Sequence, residues 1–172
     1  KKMDATLLLA GCGKMGGALL TGWIEKGINP ESITVIEPND ETADALRAQY
    51  SITTTASPVN IKLNSTPNVI VFAVKPQIMN DVVPAYTRFV DSNVLYLSIA
   101  AGKPISYFES ILGSKASIVR AMPNTPAAVR RGITVNYSNE QVSNKQKSLC
   151  EDLLNSIGEV AWVDDENHID IV

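Results

Sequence analysis

A doubly wound, mainly parallel α/β sheet, extended by extra C-terminal strands, is the fold class that the sequence predicts. Three observations carry it. An apolar run over residues 6–10 enters a glycine-rich turn, and an amphipathic segment leaves it. Short apolar runs then alternate with segments of helical spacing as far as residue 120, the pattern of strand–helix–strand units whose strands are buried on both faces. After residue 126 the pattern changes to an alternating strand, a helix and a last strand.

The first helix is expected over 14–26, with Met15, Leu19, Leu20 and Trp23 at helical spacing and Gly27 closing it. Residues 32–37 read as the second strand and end in Glu37; 41–50 have helical composition, and the β-branched run 52–55 reads as a short strand. Ser57 and Pro58 start a short helix toward Leu63, serine as cap and proline in the first turn. The most apolar run, 68–74, is the expected central strand; Lys75, Pro76 and Gln77 break it, and 78–89 read as helix with Pro84 as a kink or boundary. Residues 94–99 form another buried strand, 104–112 a helix and 116–120 a further strand. Two prolines three apart make 122–126 a loop. The last three elements are a strand over 132–137, a helix over 143–157 and a strand over 159–163.

At 172 residues and 45% hydrophobic content, the chain suffices to bury one full core, so a single domain over 1–163 is expected. A net charge of −3 implies no basic face for nucleic acid. Two cysteines, Cys12 and Cys150, are too few for a disulfide framework or a metal cluster, and they fit a reducing, cytoplasmic setting. Lys1 and Lys2 ahead of an apolar run resemble a signal peptide, but 7–10 is too short for one, and nothing approaches a membrane span. The chain stops at an apolar-leaning segment, 169–172, without terminal punctuation, which reads as a cut.

Gly11, Gly13 and Gly16 stand in G-x-G-x-x-G spacing between strand and helix. In such a turn the first glycine permits a tight bend, the second lets the backbone approach a pyrophosphate, and the third lets helix pack on strand. Residues 73–77, 98–102 and 122–126 also follow strands, so all four turns are expected to face one crevice at the carboxyl ends of the strands. Their lining is mostly backbone, small side chains, Lys75 and Asn124, with no Cys–His pair, carboxylate dyad or serine triad. No catalytic side chain and no metal ligand is assigned; such a site positions a cofactor that carries the chemistry.

Lys75 is a phosphate or substrate contact or a solvated strand-end lysine, and Asn124 donates to a cofactor or to its own loop. Cys12 sits at a helix N-terminus, which lowers a thiol's pKa, but a small residue filling the turn is the simpler reading. His168 carries no assignment, and residues 164–166 read as a solvated acidic loop. Glu37 ends the second strand where an acidic side chain accepts from both adenosine ribose hydroxyls, which favours NAD(H) by charge. Asn39, Thr42 and Asn60 are neutral donors able to serve a 2′-phosphate.

The segments Gly-Cys-Gly-Lys-Met-Gly (11–16), Phe-Ala-Val-Lys-Pro-Gln (72–77), Ser-Ile-Ala-Ala-Gly (98–102) and Arg-Ala-Met-Pro-Asn-Thr-Pro (120–126) resemble pyrroline-5-carboxylate reductase. The motifs stand in that family's order and spacing across nearly the whole chain. The resemblance implies a Rossmann-type domain and reduction of 1-pyrroline-5-carboxylate to L-proline, the last step of proline synthesis, with NADP(H), or alternatively NAD(H). It also implies site residues. The glycine turn (Gly11, Cys12, Gly13, Lys14, Met15, Gly16) and Ala73, Val74, Lys75 and Pro76 hold the dinucleotide. The position of Asn60 reaches its adenosine end, where the place of Glu37 and Asn39 after the second strand also puts them, and Ala100, Ala101 and Asn124 lie beside the nicotinamide.

Many members carry a small or basic residue where this chain has Glu37. The family also continues past a stretch like 165–172 into a helical domain that builds a homo-oligomer and supplies a loop for the substrate carboxylate. On that basis 164–172 is the expected start of a linker, and the 172 residues alone are expected to bind nucleotide without turnover, with apolar surface left around Ile169, Ile171 and Val172. The expected partner is a small molecule, not nucleic acid or membrane. Two alternatives stand beside this reading: another reductase of the 6-phosphogluconate or β-hydroxyacid type, and a non-catalytic nucleotide-binding module.

Overall fold

In the computed structural model, which describes residues 5–61, 66–124 and 132–169, eight strands form one sheet. The strands are β1 (Leu7–Ala10), β2 (Ile33–Ile36), β3 (Thr53–Thr55), β4 (Val69–Phe72), β5 (Leu95–Ser98), β6 (Ser117–Asn124), β7 (Gly132–Ser138) and β8 (Gly158–Trp162). Their order across the sheet is 3-2-1-4-5-6-7-8. The first six are parallel, β7 runs antiparallel to β6, and β8 runs parallel to β7. This is the expected doubly wound sheet, and the added strands lie where the pattern change placed them.

Alternation along each strand divides the core in two. Leu7, Leu9, Val69, Val71, Leu95 and Leu97 point to one face, where they meet Leu19, Leu20 and Trp23 of α1 (Gly13–Glu25), Leu46 of α2 (Asp40–Tyr50) and Cys150, Leu153 and Leu154 of α5 (Asn144–Leu154). Leu8, Ala10, Ile70, Phe72, Tyr96 and Ile118 point to the other, against Met79 of α3 (Met79–Val82), Val83, Tyr86 and Phe89 after it, and Ile105, Phe108 and Leu112 of α4 (Ile105–Leu112). Each fully buried Val, Leu, Ile, Phe or Met among them contributes about 1.5–3 kcal/mol relative to exposure. The indole N–H of Trp23 donates to the carbonyl of Leu153 at 3.1 Å, so α1 and α5 are joined by a hydrogen bond as well as by packing.

The expected helix over 78–89 is largely a 3-10 path. Pro76–Ile78 form one 3-10 turn, only Met79–Val82 are α-helical, and Val83–Phe89 continue as 3-10 helix. Pro84 has no N–H to donate and its ring clashes with a preceding carbonyl, so the wider α-helical turn is not continued through it. The short helix from Ser57 is a single 3-10 turn, Pro58–Asn60, already extended at Ile61; Leu63 lies outside the described residues.

The loop expected at 122–126 is strand as far as it is described. Met122, Pro123 and Asn124 pair with Val135, Thr134 and Ile133, while Thr125 and Pro126 lie outside the described residues. The pairing of β6 with β5 ends at Arg120, so beyond it one edge of β6 has no partner strand among the described residues. On such an edge a proline's missing N–H costs no ladder bond.

Candidate functional site

β1 lies between β2 and β4, so the chain leaves its carboxyl end on one side and returns on the other, the point at which open α/β sheets form a crevice. A cavity of about 470 Å³ lies there. Its walls come from the turn after β1 (Gly11, Cys12, Gly13), the end of β2 (Glu37, Pro38), the segment after β3 (Ala56, Ser57, Pro58, Val59) and the turn after β4 (Ala73, Val74, Lys75). Ile78, Asp81, Val82, Ala85 and Tyr86 close the remaining side.

The glycines of the turn are dictated by geometry. Gly11 has φ +77°, and a Cβ there would stand 2.5 Å from Cγ1 of Val74. Gly13 has φ +53° and opens α1, with only a carbonyl oxygen within 4 Å of where a Cβ would be. Gly16 lets α1 settle on β4's end, its would-be Cβ 3.2 Å from the Cβ of Ala73. Cys12 precedes the helix without a side-chain cap, and no acidic residue stands in the first turn. The first N–H groups of α1 are thereby left to an anion. A dinucleotide pyrophosphate fits this donor set, because the backbone bordering the cavity carries no side chain at positions 11 and 13.

Burial, followed by the charge of Glu37, pushes the Cys12 thiol up to about 11, so the helix terminus does not activate it and the space-filling reading stands. Glu37 is half-buried and its Oε2 accepts from the N–H of Asn39 at 3.1 Å. Asn39 in turn caps α2, its Oδ1 accepting from the N–H of Thr42 at 3.0 Å. Lys75 is exposed at the cavity rim and precedes the 3-10 turn that begins with Pro76. Asn60 is exposed at the end of the turn after β3.

As far as they are described, the four turns do not share one cavity. Lys14 and Met15 face a second, more open one of about 910 Å³ between α1 and residues 155–159. Ala100 and Ala101 follow β5, and Asn124 ends β6, at the same carboxyl edge of the sheet but beyond the cavity walls. Val59, Asp81 and Tyr86 were not singled out in the sequence. Val59 carried one signal, a large apolar residue after Ser57-Pro58, and it is 75% exposed at the cavity mouth.

Asp164 and Asp165 are exposed, as expected of a solvated acidic loop, but Glu166 is drawn inward. Glu166 Oε2 pairs with Arg120 Nη1 at 3.0 Å and accepts from the N–H of Ile105 at 2.7 Å. Ile169 is fully buried, against the expected apolar surface there, while Ile171 and Val172 lie outside the described residues. Among the described residues no cluster of three or more His, Cys, Asp or Glu suits a metal, and no helix is long and apolar enough to cross a membrane.

A doubly wound sheet whose glycine turn opens on a cavity at the switch point defines the class of α/β domains built on the dinucleotide-binding plan. The chain belongs to the family described as NADP oxidoreductase, coenzyme F420-dependent, whose model matches residues 6–102. It is 35% identical over 162 residues to a pyrroline-5-carboxylate reductase of Pseudomonas aeruginosa, covering 94% of this chain and 59% of that protein. Among solved structures it resembles a pyrroline-5-carboxylate reductase from Coxiella burnetii, with TM-score 0.89 and 32% identity over 98% of this chain and 62% of that one. The Plasmodium falciparum pyrroline carboxylate reductase with NADP bound superposes with TM-score 0.81 at 29% identity, over 99% of this chain and 62% of that one. The chain thus spans about three fifths of the length of the relatives it matches.

Proposed function

We propose that this chain is the dinucleotide-binding part of a reductase that converts 1-pyrroline-5-carboxylate to L-proline with NADPH, NADH being the alternative donor. The observation that carries the reading is the glycine turn at the switch point: positive φ at Gly11 and Gly13, an uncapped helix behind them and a cavity in front. Similarity to pyrroline-5-carboxylate reductases over nearly all of the chain supports the choice of substrate.

When bound, the reduced dinucleotide supplies hydride to the imine carbon of the substrate ring. The chain's part is binding and alignment. Backbone N–H groups of residues 11–16 hold the pyrophosphate, with residues 73–76 bordering it. Glu37, Asn39 and Asn60 are assigned to the adenosine end, and Ala100, Ala101 and Asn124 to the nicotinamide end. A substrate arriving as the iminium already carries its nitrogen proton, so orientation and exclusion of water suffice and no general acid is required. Residues 1–163 form the dinucleotide unit in this reading, 164–172 lead toward a helical domain that holds substrate and joins subunits, and the protein works in the cytoplasm.

The test is binding and turnover by the 172-residue chain and its Gly13→Val variant. The chain is expected to bind NADPH without reducing pyrroline-5-carboxylate by itself. The variant is expected to stay folded and lose at least about 10-fold in affinity, because a branched side chain at φ +53° obstructs backbone approach to the pyrophosphate. Unchanged affinity in a folded variant removes the pyrophosphate from this turn, and efficient turnover by the chain overturns the division of labour.

A further inference from the structure

We infer that Glu166 is a positioning residue for the turn between β5 and α4, residues 99–104, which carries Ala100 and Ala101. The inference rests on the reading above, which assigns that turn to the nicotinamide end of the cofactor. The turn is pinned at both ends. At the near end the N–H of Ala100 donates to the hydroxyl of Ser98 at 3.3 Å. At the far end the N–H of Ile105 donates to Glu166 Oε2 at 2.7 Å.

Three features make the far clamp more than ordinary packing. α4 begins after Pro104 with no side-chain cap and no acidic residue in its own first turn. Its capping carboxylate comes instead from 61 residues further along the chain, and an anion there also complements the helix dipole. The carboxylate is held in turn by Arg120, 3.0 Å away on β6, whose side chain is only 4% exposed. Finally, Arg120 lies directly opposite Ser98 in the β5–β6 pairing, so both clamps spring from adjacent positions of the sheet. The turn is therefore fixed relative to the same two strands that end at Ser98 and Asn124.

The consequence is a separation of the two ends of the dinucleotide. Among the described residues Glu166 lines neither cavity, and its hydrogen bonds go to Ile105 and Arg120, not to the residues assigned to the adenosine end. Loosening its clamp should therefore disturb the nicotinamide end alone. Glu166→Ala removes the acceptor, and Glu166→Gln keeps an oxygen for Ile105 while losing the charge toward Arg120.

The experiment compares NADPH with 2′,5′-ADP, which carries the adenosine end only, by titration calorimetry on the wild type and both variants, with amide hydrogen exchange beside it. Glu166→Ala is expected to weaken NADPH about 10-fold while 2′,5′-ADP stays within about twofold, with Glu166→Gln between it and the wild type. Exchange at Ala100 and Ile105 is expected to quicken about 10-fold, with β1 and β4 unchanged. If Glu166→Ala does not fold, the same selective loss is read from Glu166→Gln. Equal losses for both ligands, or none for either with unaltered exchange, overturn the inference. A wild type that binds neither ligand removes the functional reading instead, and the exchange at Ala100 and Ile105 still decides whether Glu166 clamps the turn.

Discussion

Glu37 is the residue at which charge and family resemblance pull in opposite directions. Its carboxylate lines the cavity, and its hydrogen bond to the Asn39 N–H holds it close to the end of β2. A 2′-phosphate bound there meets like charge, which at partly exposed separations of a few ångströms is worth about 1 kcal/mol. Glu37→Ser is accordingly expected to tighten NADPH about fivefold while NADH changes less than about threefold, as fluorescence titration of each nucleotide would measure. Unchanged NADPH binding would mean that the carboxylate turns away and that Asn39 or Asn60 meets the phosphate, and tighter binding by the wild type would reverse the assignment. Glu37 also helps keep the neighbouring Cys12 protonated, so the helix N-terminus behind the turn is left to the ligand and not to a thiolate.

Helix ends are where element-scale energetics are easiest to measure here. α5 opens with a capping box: Ser143 Oγ accepts from the N–H of Gln146 at 3.1 Å, and Gln146 Oε1 accepts from the N–H of Ser143 at 3.0 Å. Gln146 then donates to the carbonyl of Ser92 at 3.2 Å, tying the helix to the turn before β5. Ser143→Ala is expected to cost about 1 kcal/mol, read as a lower urea midpoint at unchanged slope. Such signals are local, which is why α1, α2, α5 and every parallel strand were legible in the sequence. The elements that differed are set by tertiary context. Pro84 reads the same in a kinked α-helix and in a 3-10 path, and Pro123 is admissible in β6 only because β5 has already ended. The site follows the same rule. The glycine turn is contiguous and was visible, whereas Asp81 and Tyr86 reach the cavity, and Glu166 reaches Arg120 and Ile105, through crossovers that no local spacing records.

At the scale of the whole molecule, the two cores share one alkaline liability. Cys12 and Cys150 lie in the core that packs α1, α2 and α5, and burial is the first cause raising both thiols, to about 11 in Cys12. Tyr86 and Tyr96 lie in the core on the opposite face of the sheet, and burial raises both phenols as well. The phenol of Tyr96 is committed besides, donating to the carbonyl of Tyr86 at 2.6 Å. All four groups are neutral when protonated, so a raised folded-state pKa means that the folded protein keeps protons which the unfolded chain has released. Stability is therefore fully present below the unfolded-state values, about 8.5 for a thiol and about 10 for a phenol, and declines as pH rises beyond them. Once such a group is ionised in the unfolded chain and still protonated in the fold, it removes about 1.4 kcal/mol per pH unit. The urea midpoint is thus expected to fall from pH 8 to pH 11, the thiols acting first and the phenols above pH 10. Cys12→Ala should flatten the first part of that decline without abolishing the second. Trp23 fluorescence reports one core and the near-ultraviolet circular dichroism of Tyr86 and Tyr96 reports the other. Because both faces are built on the same eight strands, their transitions are expected to coincide at each pH. A stability that holds level to pH 11, or a tyrosine transition that separates from that of tryptophan, would show that the buried protons or the two cores are not coupled through the sheet.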